Sequence, residues 1–350
     1  MSEDCCSKES ACLPSGKQEG RACSCATKPI PVVSTSLSSK DILGALKVRI
    51  GIGRMDYRVE PGLYAVGKPN NDSPVLVSAN YKLTFNTLRK NLVDINCWLL
   101  ILDTKGVNVW CAAGKGTFGT CELIHRIEAA RLSEIVTHRR LIVPQLGASG
   151  VNAHEVKRCT GFSVTFGPIR ASDIKAFLSS GFQATKEMRT VKFTFWDRLV
   201  LTPVELVEAA KKSLSVFGVL FLINLIAAQP FSVYDVAAYV GAIIAGTVLT
   251  PVLLPCIPGK AFAWKGWILG LCWTVFALWL FGWYTPDSWL LAAGYLLLLP
   301  SVSAYLALNF TGCSTFTSPS GVLKEMKIAL PLIVSASIIG VVLILIHKLM

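Results

Sequence analysis

Residues 106–122 read GVNVWCAAGKGTFGTCE, and they join an apolar run to an amphipathic segment. The preceding run, Cys97–Leu102, has the length and composition of a buried strand, and Val107–Trp110 has those of a short second strand. The following CELIHRIEAARL carries apolar residues at helical spacing. Strand, connection and helix in this order predict part of a parallel α/β sheet, in which ligands bind where the strands end.

The same alternation extends across residues 41–200. Further strands are predicted at Val75–Val77, Leu141–Val143 and Phe162–Phe166, and further helices in YKLTFNTLRKNL and ASDIKAFLSSGF. This repetition predicts a Rossmann-like α/β domain. Its functional residues are expected at the strand exits, which are Ser78–Asn80, Asp103–Lys105, residues 106–122 and Pro144–Gly150.

Charged residues are spread unevenly along the 350-residue chain. From Ser213 onward there are five of the 34 basic and three of the 22 acidic residues, which leaves 29 basic and 19 acidic residues and a charge of +10 in residues 1–212. A soluble-like half therefore precedes a half with the composition of a membrane domain. No aromatic-basic or DNA-binding motif accompanies the positive charge, so we expect no nucleic-acid partner.

Five apolar runs within residues 213–350 have about the length that a helix needs to cross a bilayer. They are Ser213–Ala228, Val233–Leu254, Trp267–Tyr284, Trp289–Phe310 and Ile328–Ile346. The lysines that flank these runs, except Lys348, fall on one side of the arrangement. The positive-inside rule then predicts a cell-membrane protein in contact with lipid, with a cytoplasmic N-terminal half and an external C-terminus.

Residues 201–212 predict an amphipathic helix that links the two halves. Thr202 stands at its N-cap position, Pro203 in its first turn and Glu205 in the capping-box position. The predicted spans contain no ionisable residue near their centres, because Asp235 lies close to an end. We therefore expect the membrane half to serve as an anchor or a docking bundle rather than as a transporter.

Residues 1–40 are rich in Ser, Lys, Gly and Pro and predict a flexible tail. Because neither a basic start nor an apolar run opens it, we expect the tail to stay in the cytoplasm, with reduced thiols. These thiols are Cys5, Cys6, Cys12, Cys23 and Cys25. Closely spaced cysteines can chelate a soft ion such as Zn(II), Cu(I) or Hg(II), and incidental thiols in an unstructured tail are an equal alternative.

The glycines of residues 106–122 allow two nucleotide-site interpretations, and neither fits well. A P-loop requires GxxxxGK followed by Ser or Thr, but Val109 stands at the first glycine position and Gly116 follows the lysine. GKGTFG does satisfy GxGxxG, with Glu134 downstream. However, WCAA separates the strand from the first glycine, where a dinucleotide site needs a tight turn.

Cys111 allows other interpretations. A nucleophilic thiol would need a base, for which His125, His138 and His154 are candidates, and Cys121 with His125 has the spacing of half a metal site. A thiolate near a helix N-terminus is also a soft ligand for a transition metal, and the small residues beside it leave room for a flat macrocycle. The residues by themselves leave these alternatives open.

The complete motif NVWCAAGK at Asn108–Lys115, followed by GTFGT and preceding five predicted spans, resembles the mercury-methylating corrinoid proteins. Their soluble domain is similar to the corrinoid-binding part of the corrinoid iron–sulfur protein of acetyl-CoA synthesis. The resemblance covers nearly the whole chain after residue 40, and it implies a cap helix near residues 109–116. On that helix Cys111 would be the catalytic residue and the lower axial ligand of cobalt in a cobamide. The candidate cofactor-binding residues are Ser78, Asn108, Val109, Trp110, Cys111, Ala112, Ala113, Gly114, Lys115, Gly116, Thr117 and Gly119.

The resemblance also implies the activity, a corrinoid-dependent methyltransferase that passes a methyl group from methyl–Co(III) to Hg(II). The implied partners are a folate-linked methyl donor of the acetyl-CoA pathway and a small ferredoxin-like reductant with two 4Fe–4S clusters. In this setting Cys5, Cys6, Cys23 and Cys25 become candidates for Hg(II) capture. Two other functions stay open: a corrinoid methyl carrier for another acceptor, and a non-enzymatic membrane thiol protein that binds soft metals.

Overall fold

The computed structural model describes residues 29–313 and 319–350. The chain divides into two compact units. The first runs to Val191 except for Arg49–Ile52, and the second consists of those residues together with Lys192–Met350. The first unit is an α/β domain and the second is helical, which confirms the predicted fold class at that level.

One six-stranded sheet, with the strand order β1-β2-β4-β3-β5-β6, forms the centre of the first unit. The strands are β1 (Val32–Val33), β2 (Gly62–Val66), β3 (Val75–Ala79), β4 (Cys97–Leu102), β5 (Arg140–Pro144) and β6 (Ser163–Gly167). The helices are α1 (Ser39–Arg49), α2 (Lys82–Lys90), α3 (Val109–Lys115), α4 (Thr120–Ala129), α5 (Leu132–Ile135), α6 (Ala153–Thr160) and α7 (Ile174–Ser179). β2 runs antiparallel to β4, whereas the other neighbours are parallel.

Helices cover both faces of the sheet, because its central strands are apolar on both sides. β3 and β4 are buried at every position, as is typical of parallel strands between two helical layers. α3, α4 and α6 pack on one face through Ala112, Leu123 and Val156. α2 and α7 pack on the other face through Phe85 and Phe177. The carboxyl ends of β3, β4, β5 and β6 therefore meet at one sheet edge, where ligands of such folds bind.

The structure corrects three local predictions in this unit. Val107–Trp110 is not a strand, because Asn108 caps a helix that begins at Val109. β1 and the first residues of α1 lie in the segment predicted to be a flexible tail, and β2 makes the sheet mixed rather than wholly parallel. β1 has two residues and β2 has five, so neither is long enough for its alternation to be recognised without the strand that it pairs with.

A buried ion pair ties the start of α1 to α2. The amide and hydroxyl of Ser38 donate to Asp41 Oδ2 at 3.0 and 2.7 Å, and Arg89 Nη2 donates to the same oxygen at 2.7 Å. Arg89 Nη1 also donates to the carbonyls of Ser34 and Ser36 at 2.6 and 2.8 Å. Burial acts to raise the pKa of Asp41, but the hydrogen bonds from Ser38 and the charge of Arg89 outweigh it and hold that pKa well below its usual range.

We expect Asp41→Asn to lower the free energy of unfolding of the first unit by about 3 kcal/mol, because it leaves the Arg89 guanidinium buried without its anion. Since the folded-state pKa is lowered, the wild-type stabilisation is complete above about pH 4 and is lost as the pH falls from there. Thermal melts between neutral and acid pH would measure both effects. Asp56→Asn, at an exposed carboxylate, is the control; equal melting of the two variants would contradict the assignment.

The second unit is built from helices. They are α8 (Phe195–Leu199), α9 (Thr202–Asn224), α10 (Val233–Ile244), α11 (Thr250–Leu253), α12 (Phe262–Leu280), α13 (Trp289–Asn309) and α14 (Pro319–Leu349). A π-helical turn at Ala245–Leu249 joins α10 to α11 and makes them one continuous helical segment. Pro251 follows this turn. Proline has no backbone N–H to donate to the preceding helical turn, and an irregular turn at that point accommodates the missing hydrogen bond.

Within the described residues, four helical segments are long and apolar enough to cross a membrane. They are Val233–Leu253, Phe262–Leu280, Pro286–Asn309 and Ser320–Leu349. The first predicted span, Ser213–Ala228, is not among them. Its apolar helical part, Ser213–Asn224, is about 18 Å long and falls short of the roughly 30 Å hydrocarbon core. Thr202 does not cap α9 either, because its hydroxyl donates to the Leu199 carbonyl at 3.0 Å and the chain is already helical before it.

Small residues bring α12 and α13 into close contact. A Cβ on Gly266 would lie 2.5 Å from the Ala307 Cβ, and one on Gly270 would lie 2.8 Å from the Pro300 Cα. The two glycines are four residues apart, which is the GxxxG spacing that lets helix backbones approach in a membrane. The close packing of α12 on α13 therefore depends on the absence of side chains at Gly266 and Gly270.

Two charged residues that the sequence places near opposite ends of the helical half form a buried pair. Lys348 Nζ lies 3.2 Å from Asp235 Oδ2, and both side chains are almost fully buried. The Tyr295 hydroxyl donates to Asp235 Oδ1 at 2.5 Å, and the Ser232 amide and hydroxyl donate to Oδ2. Lys348 is thus the partner of Asp235 rather than an isolated charge at the C-terminus, and the pair joins α10, α13 and α14.

We expect the single variants Asp235→Asn and Lys348→Met each to lower the stability of the helical unit by about 3 kcal/mol, because each leaves one buried charge without its partner. The double variant should lose less than either single variant, since it buries no unpaired charge. Thermal unfolding of the full chain in detergent would supply this double-mutant cycle. Simple additivity of the two single losses would show that the pair is not coupled.

Candidate functional site

Helix α3 has a buried face and an exposed face, and the motif NVWCAAGK distributes its residues between them. Val109, Ala112 and Ala113 are buried at i, i+3 and i+4, whereas Trp110, Gly114 and Lys115 are exposed and Cys111 is half-buried. The Asn108 side chain accepts a hydrogen bond from the Cys111 amide at 2.9 Å and so caps the helix. The cap fixes the first turn, and with it the position of the Cys111 thiol.

Gly150, in the segment after β5, allows that segment to pack closely against α3 at Ala113. A Cβ on Gly150 would lie 3.2 Å from the Ala113 Cα and 2.2 Å from the Phe118 carbonyl oxygen. Ala112 and Phe118 are completely buried in the same core cluster. The small side chains of Ala112 and Ala113 were expected to leave room for a macrocycle, but both face the protein interior.

The glycines that follow Cys111 serve different purposes. A Cβ on Gly114 or on Gly116 would meet no atom within 4 Å, so both face open space beside the helix. Gly116 ends α3 with a left-handed conformation, φ +80°, which an L side chain rarely adopts. A Cβ on Gly119 would lie 2.7 Å from the Gly116 carbonyl oxygen, so Gly119 permits the tight connection to α4.

This placement does not match the mechanism of a dinucleotide fingerprint. In that motif the first glycine makes the turn between the strand and the helix, so that the helix N-terminus meets the pyrophosphate. Here Gly114 lies inside α3 and Gly116 lies at its C-terminal end. The turn after β4 is instead formed by residues 103–108.

A cavity of about 410 Å³ lies at the carboxyl edge of the sheet, next to α3. Ser78, Asn108, Val109 and Trp110 contribute to its lining, together with apolar residues of α2 and of the segments after β5 and β6. Its volume falls in the range of small-molecule sites, and most of its lining is apolar. The cavity thus brings Ser78 together with the first residues of α3, while the Cys111 side chain stands beside it rather than in its lining.

Asn80 holds the loop that leads to α3, a role that the sequence predictions did not assign to it. Its Oδ1 accepts hydrogen bonds from the amides of Thr104 and Gly106 at 3.1 and 3.0 Å, and its Nδ2 donates to Asp103 Oδ1 at 3.1 Å. A hydrogen bond from Lys105 lowers the pKa of Asp103, which keeps Asp103 an ionised acceptor. Asn80 is 1% exposed, so these bonds form away from competing water.

The other end of the same loop is held from α4. The Asp103 amide donates to Glu122 Oε1 at 2.8 Å, and Arg126 donates to that same oxygen through Nε at 3.1 Å and Nη2 at 2.8 Å. The position of α3 therefore depends on β3, β4 and α4 together. An asparagine directly after a strand is a recognisable signal for such a role, because its amide can serve several backbone groups at once.

We expect Asn80→Ala to increase amide hydrogen exchange of residues 103–110 by about 30-fold, because the amides of Thr104 and Gly106 lose a buried acceptor. Exchange in the centre of β4 should change much less. Hydrogen-exchange mass spectrometry would measure both regions. Asn91→Ala, which removes an amide at the C-terminal end of α2, is the matched control; unchanged exchange in the Asn80 variant would refute the anchoring role.

The remaining candidate residues do not form a second site with Cys111. Cys121 and His125 are both exposed on α4, and within residues 29–313 and 319–350 no three His, Cys, Asp or Glu side chains meet as a metal site. Burial raises the pKa of Cys97 to about 12, which makes this thiol in β4 unreactive. The imidazole of His138 lies 2.9 Å from the Ser73 carbonyl oxygen, at the amino-terminal edge of the sheet. The tail cysteines Cys5, Cys6, Cys12, Cys23 and Cys25 lie outside the described residues.

The fold and the site together define an α/β domain that presents a thiol-bearing helix at the carboxyl edge of its sheet. Residues 31–178 of this domain match a protein family described as the CO dehydrogenase/acetyl-CoA synthase delta subunit. The matched region contains the whole sheet and the motif Asn108–Lys115, and it ends before Lys192, where the long C-terminal part of the second unit begins.

Curated relatives are similar to part of the chain. The acetyl-CoA decarbonylase/synthase complex subunit gamma of Methanopyrus kandleri is 36% identical over 127 residues, which are 36% of this chain and 27% of the relative. The subunit gamma of Archaeoglobus fulgidus is 31% identical over 156 residues, or 43% of this chain and 33% of the relative. The corresponding subunit of Methanocaldococcus jannaschii is 32% identical over 131 residues. The chain thus spans a third or less of the length of these relatives.

Proposed function

We propose that this protein is a corrinoid-dependent methyltransferase that delivers a methyl group to Hg(II), with Cys111 as the lower axial ligand of the corrinoid cobalt. The similarity of residues 31–178 to subunits of the acetyl-CoA decarbonylase/synthase complex supports a corrinoid domain of that pathway. The motif NVWCAAGK, shared with the mercury-methylating corrinoid proteins, supports the choice of Hg(II) as acceptor. The observation that carries the proposal is the Cys111 thiol on α3, beside open space.

The residues around Cys111 fit a large planar group. Cys111 Sγ is a soft ligand of the type that transition metals accept, and Gly114, one turn along the helix, leaves open space on the same side. Trp110 is 38% exposed and offers an apolar surface next to the 410 Å³ cavity, which would have room for a side group of the cofactor. Lys115 is exposed at the end of α3, where it can reach a phosphate or carboxamide at the periphery of the group.

A bound corrinoid would supply a cobalt centre able to carry a methyl group, and the ligand that a protein provides is one of the means by which it tunes such a metal. The contribution of this chain is to hold the thiol in place. The Asn108 cap orients the first turn of α3, the buried alanines fix the helix against the core, and Asn80 holds the loop before it. A thiolate donor at Cys111 would make the bound metal better able to release a methyl group to an electrophile such as Hg(II).

The proposal includes the partners that this chemistry requires. A folate-linked donor of the acetyl-CoA pathway supplies the methyl group, and a small ferredoxin-like protein with two 4Fe–4S clusters returns the cofactor to its reactive reduced state. Cys5, Cys6, Cys23 and Cys25 are proposed to capture Hg(II) for this domain.

We also propose that the helical unit lies in the cell membrane, with the first unit in the cytoplasm and the C-terminus outside. The four long apolar helices support this location by their length and composition. An external C-terminus requires a fifth crossing, which we assign to the apolar end of α9 together with residues 225–228, because Leu214, Val219, Phe221 and Leu222 are all more than half exposed. Such a surface is suited to lipid and costly in water.

We expect anaerobically purified protein to show corrinoid absorption bands and to form methylmercury from Hg(II), whereas Cys111→Ala should abolish methylation because cobalt loses its thiolate ligand. Cys111→His should retain a ligand and partial activity. Cys159→Ala, at a thiol on α6 away from α3, is the matched control and should stay active. Near-wild-type methylation by Cys111→Ala would refute the assignment of the cobalt ligand.

The same purified protein separates the proposal from its alternatives. A corrinoid methyl carrier for another acceptor is favoured by the relatives, which are subunits of a complex named for acetyl-CoA. That function predicts corrinoid bands without methyl transfer to Hg(II). A membrane thiol protein that merely binds soft metals predicts no corrinoid bands.

A further inference from the structure

A cavity of about 840 Å³ lies in the second unit between the starts of α12 and α14. Residues of both helices and of the turn before α12 form its walls, and Ala304 of α13 contributes as well. The described lining falls into three groups. The apolar wall comes from Ile328, Ala329, Leu332 and Ile333, the aromatic wall from Trp264 and Trp267, and the polar rim from Lys260, Lys324 and Glu325.

The two indoles of the aromatic wall pack against each other, and Trp264 also packs against the turn before α12. The rings of Trp264 and Trp267 are stacked, with centroids 5.4 Å apart and planes 10° from parallel. A Cβ on Gly259 would lie 2.7 Å from Trp264, so the turn before α12 leaves room for this ring. Both indoles nevertheless keep more than a third of their surface exposed. Tryptophans with this combination of packing and exposure are typical of the membrane–water boundary.

The charges at the rim favour an anion. Lys260 and Lys324 are exposed, and no ion pair to either ammonium group is found in the part of the chain that the structure describes. The one carboxylate of the lining is directed elsewhere: Glu325 Oε1 accepts a hydrogen bond from the Ala263 amide at 2.7 Å and so caps α12 from α14. Two cations without a described anion thus stand at the mouth of an otherwise apolar cavity.

We propose that this cavity binds an anionic phospholipid, with the headgroup phosphate between Lys260 and Lys324 and an acyl chain along Ile328, Leu332 and Ile333. A free phosphate would satisfy the two ammonium groups but would leave the apolar wall and both indoles uncovered. A neutral lipid would cover the wall but not match the charges. The proposal rests on the membrane location proposed above and is independent of the corrinoid chemistry.

The position of the site along the helices agrees with this occupant. Both lysines stand at the helix ends that the distribution of basic residues assigns to the cytoplasmic side, where anionic lipids concentrate in many membranes. The lipid would bridge the starts of α12 and α14, which the described structure joins at this end through the Glu325 cap. Binding would therefore fasten α14 to the bundle as well as place the protein in an anionic membrane.

Native mass spectrometry of the full chain, released from nanodiscs that contain about equal amounts of phosphatidylglycerol and phosphatidylcholine, would test the proposal. The wild type should retain phosphatidylglycerol in preference to phosphatidylcholine. Lys260→Gln/Lys324→Gln should reduce that preference about tenfold, because the two charges nearest the phosphate are removed. The single variant Lys324→Gln should have an intermediate effect.

Lys327→Gln is the matched control, since it removes the same charge from the same end of α14 at a residue outside the cavity lining. Equal retention of the two lipids by the wild type, or an equal loss of preference in the Lys324 and Lys327 variants, would overturn the site. Preference for phosphatidylglycerol that survives in the double variant would overturn it as well. Failure of the chain to enter nanodiscs would instead count against the membrane location, and the corrinoid spectrum reports on the catalytic proposal separately.

Discussion

The amide side chain of Asn80 is the constraint on which the geometry of the proposed site depends. It lies at the end of β3 and reaches across to the loop that leaves β4, where it supplies an acceptor to two backbone amides and a donor to Asp103. Parallel strands make this possible, because the ends of β3 and β4 are neighbours at the same sheet edge. Hydrogen bonds at a buried position are costly to lose, so the loop has one stable conformation. Because this loop leads directly into α3, the conformation of the loop sets the position of that helix.

The motif NVWCAAGK must provide both a buried face and an open face of helix α3. Its inner face packs closely on the segment after β5, because a Cβ on Gly150 would lie 3.2 Å from the Ala113 Cα, and Ala112 and Ala113 are both buried in the core. Its outer face must be free, because a bulky residue at Gly114 would stand one turn from the Cys111 thiol. The motif NVWCAAGK therefore encodes the packing of the helix as much as its proposed chemistry. A polar or large residue at Ala112 would disturb the site without touching any ligand.

The helical unit uses different forces from the α/β domain. Helices α12 and α13 approach through glycine at Gly266 and Gly270, a spacing that helices of membrane proteins also use. Its polar residues are then placed where helices converge. Asp235 and Lys348 neutralise each other at one such point, and Glu325 caps α12 at another. Polar groups thus join the described helices at their ends, while small residues join α12 and α13 along their length.

The sequence by itself determined the elements whose signal is local. Cys97–Leu102 is apolar throughout and forms β4 with the predicted bounds, and the predicted helices after β3 and before β5 are present. At Cys111 the residue pattern predicted a strand over Val107–Trp110, and only the family resemblance implied a helix near residues 109–116, where α3 spans Val109–Lys115. These elements are recognisable because hydrophobic periodicity, capping residues and specific motifs act within about ten residues.

Only the tertiary structure decided the features that depend on distant residues. β2 is too short to be identified in the sequence without the strand β4 that it pairs with. Lys348 is an isolated charge in the sequence, and only the packing of α14 against α10 places it beside Asp235. The role of Asn80 required the loop after β4, and the inward direction of Ala112 and Ala113 required the neighbouring segment at Gly150. In each case the partner lies more than 20 residues away, and its contribution to the free energy exists only once the chain has folded.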